Sequence, residues 1–379
     1  MIENSMLIAL YVTAIAIFCI GSSRLPILSE EAQHRVSSLD GLRGILATAV
    51  LVHHFTVSYY WHTTSLWEMT QSPVINNFGA VPVSLFFMIT GYLFGSKIYK
   101  GTPEWGAVLS SRIRRIFPMY LFSVTLIIAI TFYQTRGTME PLTETFNAIG
   151  HWMIFIGVPI NGFEETSRIN AVVHWTLLYE AVFYLSLPFL YCVLRHRLPG
   201  AAVLVSLIAL AVLWPLYGSH FSTRYIKLFA VGICVAVFED RLKKKTINYS
   251  GILSTVIALA VLAICMNLKP YSKGQMIFLS VPFTLFVLGN SLNGLLENRG
   301  LKILGEASFS IYLMHGIVIY TLFSVFSVYD FSSGNFVSYA WYLPAVILLV
   351  SSLSVATYWG IERPFIRSRK RPMIQVSAA

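Results

Sequence analysis

Long apolar segments recur along the whole chain and constrain its fold more than any other feature. A bilayer span needs about 20 consecutive, mostly apolar residues, and eleven stretches of roughly that length can be traced here. Only 12% of the 379 residues are charged, whereas soluble globular proteins contain roughly 25%. A soluble domain could not cover its surface with so few charges. We therefore predict an all-α fold, a polytopic transmembrane helix bundle.

The predicted spans have soft boundaries, and a shorter apolar stretch at 147–160 fits a re-entrant or interfacial segment. The spans are 4–20, 41–60, 78–96, 116–134, 174–194, 200–218, 224–238, 250–267, 275–295, 303–327 and 340–361. The first lacks a positive n-region and an A-x-A site, which favours a retained helix over a signal peptide. We predict an extra N-terminal helix and linker (1–35), a ten-helix membrane domain (36–366) and a short basic tail (367–379).

The distribution of basic residues predicts the orientation. With a cytoplasmic C-terminus and alternating spans, 21 of the 27 Lys and Arg residues fall in cytoplasmic segments. Such an excess is typical of cytoplasmic loops. The net charge of +10 is thus explained by topology and does not indicate nucleic-acid binding. The four cysteines form no CxxC pair, so the sequence predicts neither a disulfide framework nor a metal site.

One helix face in the segment SLDGLRGILATAVLVHHF carries several polar groups. Arg43 and His54 are eleven residues apart, which separates them by only about 20° around a helix and by ~16 Å along it. Asp40 lies near the same face, whereas His53 is rotated away by about 100°. Ionisable residues within membrane spans are costly and usually functional. The alternative is a snorkelling arginine and a structural histidine.

Two other pairs place charge near the ends of spans. Arg112 and Arg115 share a helix face at the predicted inner side, where they could grip phosphate oxygens or simply anchor the helix. Glu180 lies about two turns inside its span, with Tyr184 one turn further on the same face. A buried carboxylate needs a partner or loses its charge. A structural glutamate paired with Arg or His is the alternative.

A third polar pattern lies in the segment EASFSIYLMHGIV. Ser308, Tyr312 and His315 follow the spacing i, i+4 and i+7, which puts them on one side of an otherwise apolar helix. Hydrogen bonding between helices explains such a pattern equally well.

Taken together, these residues resemble the motifs of the acyltransferase-3 family of membrane O-acyltransferases. Six elements occur in family order between about residues 38 and 365. They are Arg43-x10-His54; FFMITGYLF (86–94); Arg112-x-x-Arg115-Ile-x-Pro118-x-Tyr120; Trp175-Thr176-Leu177-x-x-Glu180-x-x-Phe183-Tyr184; Ser310-x-Tyr312-Leu313-x-His315; and Ile361-Glu362-Arg363-Pro364. Thr90 and Thr176 stand where the family often has Ser, and both keep the hydroxyl.

The resemblance implies transfer of an acyl group, most often acetyl from acetyl-CoA, to a sugar hydroxyl. The expected acceptor is a surface glycan such as O-antigen, exopolysaccharide or another lipid-linked saccharide; some relatives acylate small molecules such as macrolides. The expected partners are therefore an acyl-CoA donor, this acceptor and the lipid bilayer. No cofactor is expected beyond the acyl-CoA co-substrate. The resemblance also implies a bacterial-type inner membrane.

The site residues follow from the motifs together with the helix geometry. His54 is the predicted catalytic base, or the carrier of an acyl intermediate, because a hydroxyl is a poor nucleophile until its proton is removed. Glu180 is predicted to tune a catalytic partner or to position the acceptor. The predicted CoA site contains Arg43, Arg112 and Arg115, and Asp40 is predicted to have a donor-site or structural role. The remaining predicted contacts with substrate are His174 and Trp175 at an outer entrance, and Tyr312 and His315 in the same outer-side cavity as Glu180.

Two other classes of function remain as alternatives. A proton-coupled secondary transporter would also bury His and Glu, but we find no inverted repeat with paired broken helices. A membrane scaffold would not explain the alignment of Arg43 with His54. Release of CoA in the presence of an acceptor separates an enzyme from both.

Overall fold

In the computed structural model, residues 2–22, 37–137, 139–245 and 247–367 are described. The predicted linker before residue 36 and the predicted tail lie outside them, apart from Arg367. The described chain contains no β-strand, only an isolated bridge between Ile160 and Phe163. Its helices are α1 (Ile2–Ser22), α2 (Ser37–Thr64), α3 (Pro73–Lys100), α4 (Trp105–Gln134), α5 (Leu142–Met153), α6 (Trp175–Arg195), α7 (Gly200–Tyr217), α8 (Thr223–Lys243), α9 (Ile252–Cys265), α10 (Lys273–Val287), α11 (Arg299–Glu306), α12 (Ser308–Tyr320), α13 (Phe336–Ala340), α14 (Leu343–Thr357) and α15 (Arg363–Arg367).

Several of these helices have the length and composition of membrane spans. In the described part of the chain, seven segments qualify: Glu3–Ser22, Pro73–Lys100, Trp105–Gln134, Trp175–Arg195, Gly200–His220, Ser308–Val325 and Phe336–Ile366. Helices α9 and α10 are apolar but shorter. The predicted fold class, an all-α membrane-type bundle, is therefore confirmed. The predicted number of spans stays a prediction.

Contacts between helix ends follow the predicted alternation of the spans. At the predicted outer side, the Ser72 hydroxyl donates to Asn4 Oδ1 over 3.1 Å and joins α3 to α1. At the predicted inner side, Lys100 Nζ lies 3.2 Å from the carboxylate of Glu239 and joins α3 to α8. Helix ends that the sequence assigns to the same side of the membrane are therefore in contact with each other. Which side faces the cytoplasm stays a prediction.

Some of the helices begin at polar side chains that accept hydrogen bonds from free backbone amides of the first turn. Ser72 accepts a hydrogen bond from the amide of Ile75, and Pro73 follows at the first helical position of α3. Asn298 caps α11 in the same way. Such caps replace the carbonyl partners that the first turn lacks, and they fix where each span starts.

Small residues allow the helices α3 and α8 to pack backbone against backbone. A Cβ atom at Gly232 would collide with the carbonyl oxygen of Met88, and one at Gly91 would collide with that of Phe229. Apolar surface gains little from pairing inside a bilayer, so close van der Waals contact between small residues holds such helices together. This crossing fixes α3, which contributes one wall of the site.

A second close approach fixes the start of α2 against α11. A Cβ at Gly305 would strike the backbone oxygen of Asp40, and a Cβ at Gly44 would strike that of Leu301. The first two turns of α2 therefore cannot shift along α11. Arg43 lies within these turns, so its position is set by backbone packing.

The chain between α5 and α6 is irregular yet buried. Phe155, Asn161, Ala171 and Val172 all have positive φ angles, and Gly316 of α12 packs directly against the backbone of Asn170. Irregular backbone at membrane depth requires protein around it, because lipid offers no hydrogen-bond partners. The predicted segment 147–160 is thus divided between the end of α5 and this irregular stretch.

Helix α1 packs on the rest of the bundle. The Tyr11 hydroxyl lies 3.0 Å from Thr48 Oγ1 and donates to the carbonyl of Ile45 over 3.1 Å. Leu7 and Ala14 are buried. The predicted extra helix is therefore packed against the start of α2.

Candidate active site

A cavity near the predicted cytoplasmic side brings together the motifs from five helices, α2, α3, α4, α6 and α12. It encloses about 860 Å³ including its mouth. We call it the inner cavity. Its polar lining consists of three arginines, one glutamate and five hydroxyl-bearing side chains: Arg43, Arg112, Arg115, Glu180, Thr90, Thr176, Tyr184, Ser308 and Tyr312. The rest of its surface is apolar, so charged ligand groups would meet the arginines in a setting of reduced dielectric constant.

Arg43 is held from two sides. Its guanidinium donates to the Ser308 hydroxyl over 3.1 Å, and it lies 3.9 Å from the carboxylate of Asp40 one turn earlier on α2. Asp40 is buried and does not itself line the cavity. These contacts fix the direction of the Arg43 side chain before any ligand arrives.

Arg112 lies against aromatic rings. Its guanidinium carbon is 5.1 Å from the ring centre of Phe94 and 5.9 Å from that of Tyr184. Its buried Nε atom has no hydrogen-bond partner within the described residues. A buried donor without a partner costs about 1–3 kcal/mol, so this atom is suited to an acceptor oxygen supplied by a ligand.

The three neighbouring arginines of α4 divide into two groups. Arg112 and Arg115 line the inner cavity. Arg114 instead donates to Ser110 of its own helix, to the carbonyl oxygen over 3.3 Å and to the hydroxyl over 3.1 Å. The division follows the helix angle, because residues three apart share a face and a neighbour is rotated by about 100°.

Glu180 extends from α6 into the inner cavity. The sequence predicted it on the outer side, apart from the arginines, because its contacts with α4 could not be derived from the position of Glu180 within its own span. Its carboxylate accepts a hydrogen bond from Tyr184, one turn further on, over 2.9 Å. It also interacts electrostatically with Arg112 and Arg115. One carboxylate and three arginines give the cavity a net positive charge, which suits a polyanionic ligand.

Helices α6 and α12 are joined through hydroxyl groups. Thr176 donates to the Tyr312 hydroxyl over 3.0 Å, and Tyr312 donates to the carbonyl of Val173 over 3.4 Å. Both side chains line the inner cavity. The predicted substrate-binding residue Tyr312 therefore lies within the cavity and also ties its walls together.

His54 lies deeper along α2 and does not line the inner cavity. Its Nδ1 atom is 3.0 Å from Nε2 of His315 on α12, and its ring stacks beneath Trp67 at 6.5 Å. Helix α2 is continuous from Ser37 to Thr64. The predicted alignment of Arg43 and His54 on one face therefore holds, with three helical turns between them.

The hydrogen bonds of the two histidines assign their tautomers. His315 Nδ1 lies 3.1 Å from the carbonyl oxygen of Ile311, which can only accept. In the neutral ring His315 Nε2 is then an acceptor, so His54 Nδ1 must be the donor of the bond between the rings. The Nε2 atom of His54 is left with a free lone pair. That is the arrangement a general base requires.

His53 has different neighbours. Its Nδ1 atom lies 3.1 Å from the carbonyl oxygen of Ile75, and its ring packs against Gly79, where a Cβ would approach Cδ2 to 2.7 Å. Both contacts are on α3. His53 therefore faces a helix interface, away from the face that carries Arg43 and His54.

His174 and Trp175, the predicted outer entrance, lie among packed rings. His174 is buried, with its ring centre 4.8 Å from that of Trp152. Trp175 contacts Tyr225 at 4.7 Å and Tyr179 at 5.7 Å. Neither residue lines the inner cavity. Their predicted contact with an acceptor stays a prediction.

The sequence indicated Glu362 only as part of the motif Ile361-Glu362-Arg363-Pro364 and gave it no role in the site, whereas its side chain is fully buried. Its carboxylate accepts a hydrogen bond from Ser310 over 3.1 Å and interacts electrostatically with Arg115 and Arg43. Ser310 and Glu362 both belong to motifs noted in the sequence. Their proximity was not predictable, because they are 52 residues apart.

Comparison with known proteins places this arrangement in a family. The sequence model described as "Acyltransferase domain" matches residues 36–359. The chain therefore belongs to the acyltransferase-3 family of membrane proteins, as the motifs predicted. No solved structure matches the fold significantly.

Several curated proteins are similar over most of this chain. It is 24% identical over 382 residues to "Putative peptidoglycan O-acetyltransferase YrhL" of Bacillus subtilis, a match covering 87% of this chain and 55% of the relative. It is 22% identical over 368 residues to "Putative O-acetyltransferase SACOL0978" of Staphylococcus aureus, covering 87% and 57%. "O-acetyltransferase PaAT-1" of Phomopsis amygdali is 43% identical over 94 residues, covering 22% and 19%. The chain thus spans just over half the length of the two bacterial relatives.

Proposed function

We propose that the protein is a membrane O-acetyltransferase that moves acetyl from acetyl-CoA to a hydroxyl group of a glycan. Membership of the acyltransferase-3 family and the similarity to proteins named as O-acetyltransferases support this reaction class. The proposed setting is a bacterial-type inner membrane, with the C-terminus and the inner cavity on the cytoplasmic side. The excess of basic residues in those segments supports this orientation.

The observation that carries the proposal is the inner cavity with three arginines, one of which, Arg43, shares a face of α2 with His54. The phosphates of CoA carry several negative charges. One guanidinium group can bind two phosphate oxygens at once through parallel hydrogen bonds. Arg43, Arg112 and Arg115 would hold these phosphates, with the unpartnered Nε of Arg112 as one donor. The pantetheine arm would then run along α2 toward His54.

The proposed chemical step uses the free Nε2 of His54. As the hydroxyl oxygen of the acceptor bonds to the thioester carbonyl carbon, this nitrogen takes the hydroxyl proton. The bond between that carbon and sulfur then breaks, and the departing sulfur takes up the proton held by His54, so that an acetyl ester and free CoA thiol are formed. The ring of His315 holds His54 in the required tautomer. Glu180 would balance the arginines and orient the donor.

A secondary transporter would use buried His and Glu residues for proton coupling, and it provides the contrasting hypothesis. An acyltransferase releases free thiol from acetyl-CoA only when an acceptor is present. We expect purified protein with a glycan extract to release CoA and to increase glycan mass by one acetyl group per event. No thiol release with any glycan fraction would refute the proposal.

A pair of substitutions tests the assignment of the base. Loss of a general base typically slows a reaction by about 10²- to 10⁴-fold, so His54→Ala should lose activity on that scale. His53→Ala serves as the matched control, because this ring contacts α3. It should keep most activity in protein that has inserted normally. Full activity of His54→Ala, or a loss confined to His53→Ala, would show that the wrong histidine was chosen.

A further inference from the structure

A second cavity lies at the other end of α2. It encloses about 1640 Å³ including its opening, and we call it the outer cleft. The residues that matter here are Trp61 of α2, Tyr320 of α12, Phe163 and Glu165 from the irregular stretch after α5, and Asp330 and Phe331 between α12 and α13. The proposed binding of the donor in the inner cavity does not involve the outer cleft.

The same face of α2 links the two cavities. Arg43 and Trp61 are 18 residues apart, which is five full helical turns and ~27 Å. His54 lies between them, about 10 Å from Trp61 along the helix. Trp67 connects the outer cleft to the base, since its ring contacts Trp61 at 5.7 Å and His54 at 6.5 Å.

The lining combines aromatic rings with hydrogen-bonding groups. Trp61 and Tyr320 are buried and stack at 6.0 Å to form the floor. Phe163 and Phe331 are only partly buried and belong to two different connections. Aromatic faces suit the apolar C–H face of a sugar ring, and polar groups suit its hydroxyl edge.

The charges in the outer cleft favour an uncharged ligand. Glu165 is paired with Arg168 over 3.1 Å. Asp330 accepts hydrogen bonds from Ser332 and Ser333, which lower its pKa to about 2 and keep it anionic. The guanidinium of Arg168 lies 5.2 Å from the ring centre of Trp61, but its charge is already balanced by Glu165. A polyanionic chain would therefore be repelled by the remaining carboxylate of Asp330.

We infer that the outer cleft is the acceptor site and that it binds an uncharged saccharide, with Phe163 and Phe331 against the sugar faces. The inference rests on the proposed acetyltransferase function and specifies where the acceptor binds. A saccharide held there would present a hydroxyl toward Trp67 and the Nε2 of His54, while the thioester approaches from the inner cavity.

Saccharide binding can be measured without acetyl transfer. The neutral probe is the β-1,4-linked tetrasaccharide of N-acetylglucosamine, and the anionic probe is tetragalacturonate. Both are titrated into the detergent-purified full chain by saturation-transfer NMR. Wild-type protein should bind the neutral probe more tightly. No binding of the neutral probe, or tighter binding of the anionic one, would overturn the inference.

Three variants locate the binding. Phe331→Ala and Phe163→Ala should each weaken the neutral probe by about 3- to 10-fold, in line with the worth of an aromatic contact. Phe326→Ala is the matched control, because this exposed ring follows α12 but lies outside the outer cleft. Wild-type affinity in both cleft variants would overturn the inference.

A charge-neutralising variant avoids any loss of packing. Glu165→Gln combined with Asp330→Asn should strengthen binding of tetragalacturonate and leave the neutral probe unchanged; unchanged binding of tetragalacturonate would count against the inference. The experiments distinguish a failure of the proposed acetyltransferase function from a failure of the proposed acceptor site. Normal saccharide binding without CoA release would refute the acetyltransferase, whereas acceptor-dependent CoA release that is insensitive to both phenylalanine variants would refute only the acceptor site.

Discussion

The arginines of α4 allow the donor site to be tested with an internal control. Arg112 and Arg115 line the inner cavity, whereas Arg114 is bonded to Ser110 on another face of the same helix. Hydrogen bonds to charged groups contribute about 1.5–3 kcal/mol. Since each 1.4 kcal/mol is tenfold in affinity, Arg115→Ala should weaken CoA binding by about 10- to 150-fold. Arg114→Ala should change it by less than about twofold, because Arg114 does not line the inner cavity.

The effect of replacing Arg112 requires a separate estimate, because this side chain also packs against aromatic rings. Its contacts with Phe94 and Tyr184 are cation–π interactions, each worth roughly 0.5–2 kcal/mol. Arg112→Ala should therefore lower thermal stability as well as CoA affinity. Arg112→Lys and Arg115→Lys keep the charge but lose the planar fork, so both should bind CoA with intermediate affinity. If CoA affinity falls from Arg to Lys to Ala at these positions, the planar guanidinium contributes to phosphate binding beyond its charge.

The assay is calorimetric titration of CoA into detergent-purified protein, accompanied by a thermal-unfolding measurement for each variant. Wild-type affinity should fall as salt rises, because ions screen the attraction between phosphates and arginines. Unchanged affinity in both Arg112→Ala and Arg115→Ala would refute the donor site. So would an equal loss in Arg114→Ala, because the division of α4 by helix angle would then have no bearing on binding.

Three further predictions concern the acid group, the topology and the helix packing. Glu180→Gln keeps the shape of the side chain and removes its charge, so the turnover rate should fall; activity near wild type would reduce Glu180 to a structural role. In a cysteine-free background, Glu68→Cys should react with an impermeant maleimide in intact cells and Lys244→Cys should not, and equal labelling would contradict the orientation. Gly232→Leu should prevent stable folding, seen as loss of the monodisperse peak in detergent chromatography, because its Cβ would collide with the Met88 carbonyl; normal elution would disprove the close crossing.

The geometry within single helices could be predicted from the sequence. An α-helix places residues 11 apart on nearly one face, and α2 runs without a break through Arg43 and His54. The same periodicity separated Arg112 and Arg115 from Arg114. These predictions needed only the position of each residue in a regular helix, and apolar composition alone indicated that the helices were there.

Contacts between distant segments could not be predicted in this way. His54 and His315 are 261 residues apart, and only the packing of α12 on α2 reveals that one ring orients the other. Glu362 was present in a motif, but its burial depends on the π-helical turn at Tyr358–Glu362 that turns it inward. The outer cleft is built partly from irregular backbone, whose path no periodic pattern encodes.

The choice of residues along α2 follows from the cost of charge at different depths. A permanently charged guanidinium is tolerated near the membrane surface, where Arg43 has Asp40 and Ser308 as partners. Deeper in the bundle a charged base would be expensive, whereas histidine acts as a base in its neutral form. One continuous helix therefore holds Arg43, the proposed phosphate-binding group, and His54, the proposed neutral base, about 16 Å apart. With the proposed acyl-CoA donor, no large motion of the protein is required to bring the two together, because the flexible arm of the donor would span that distance.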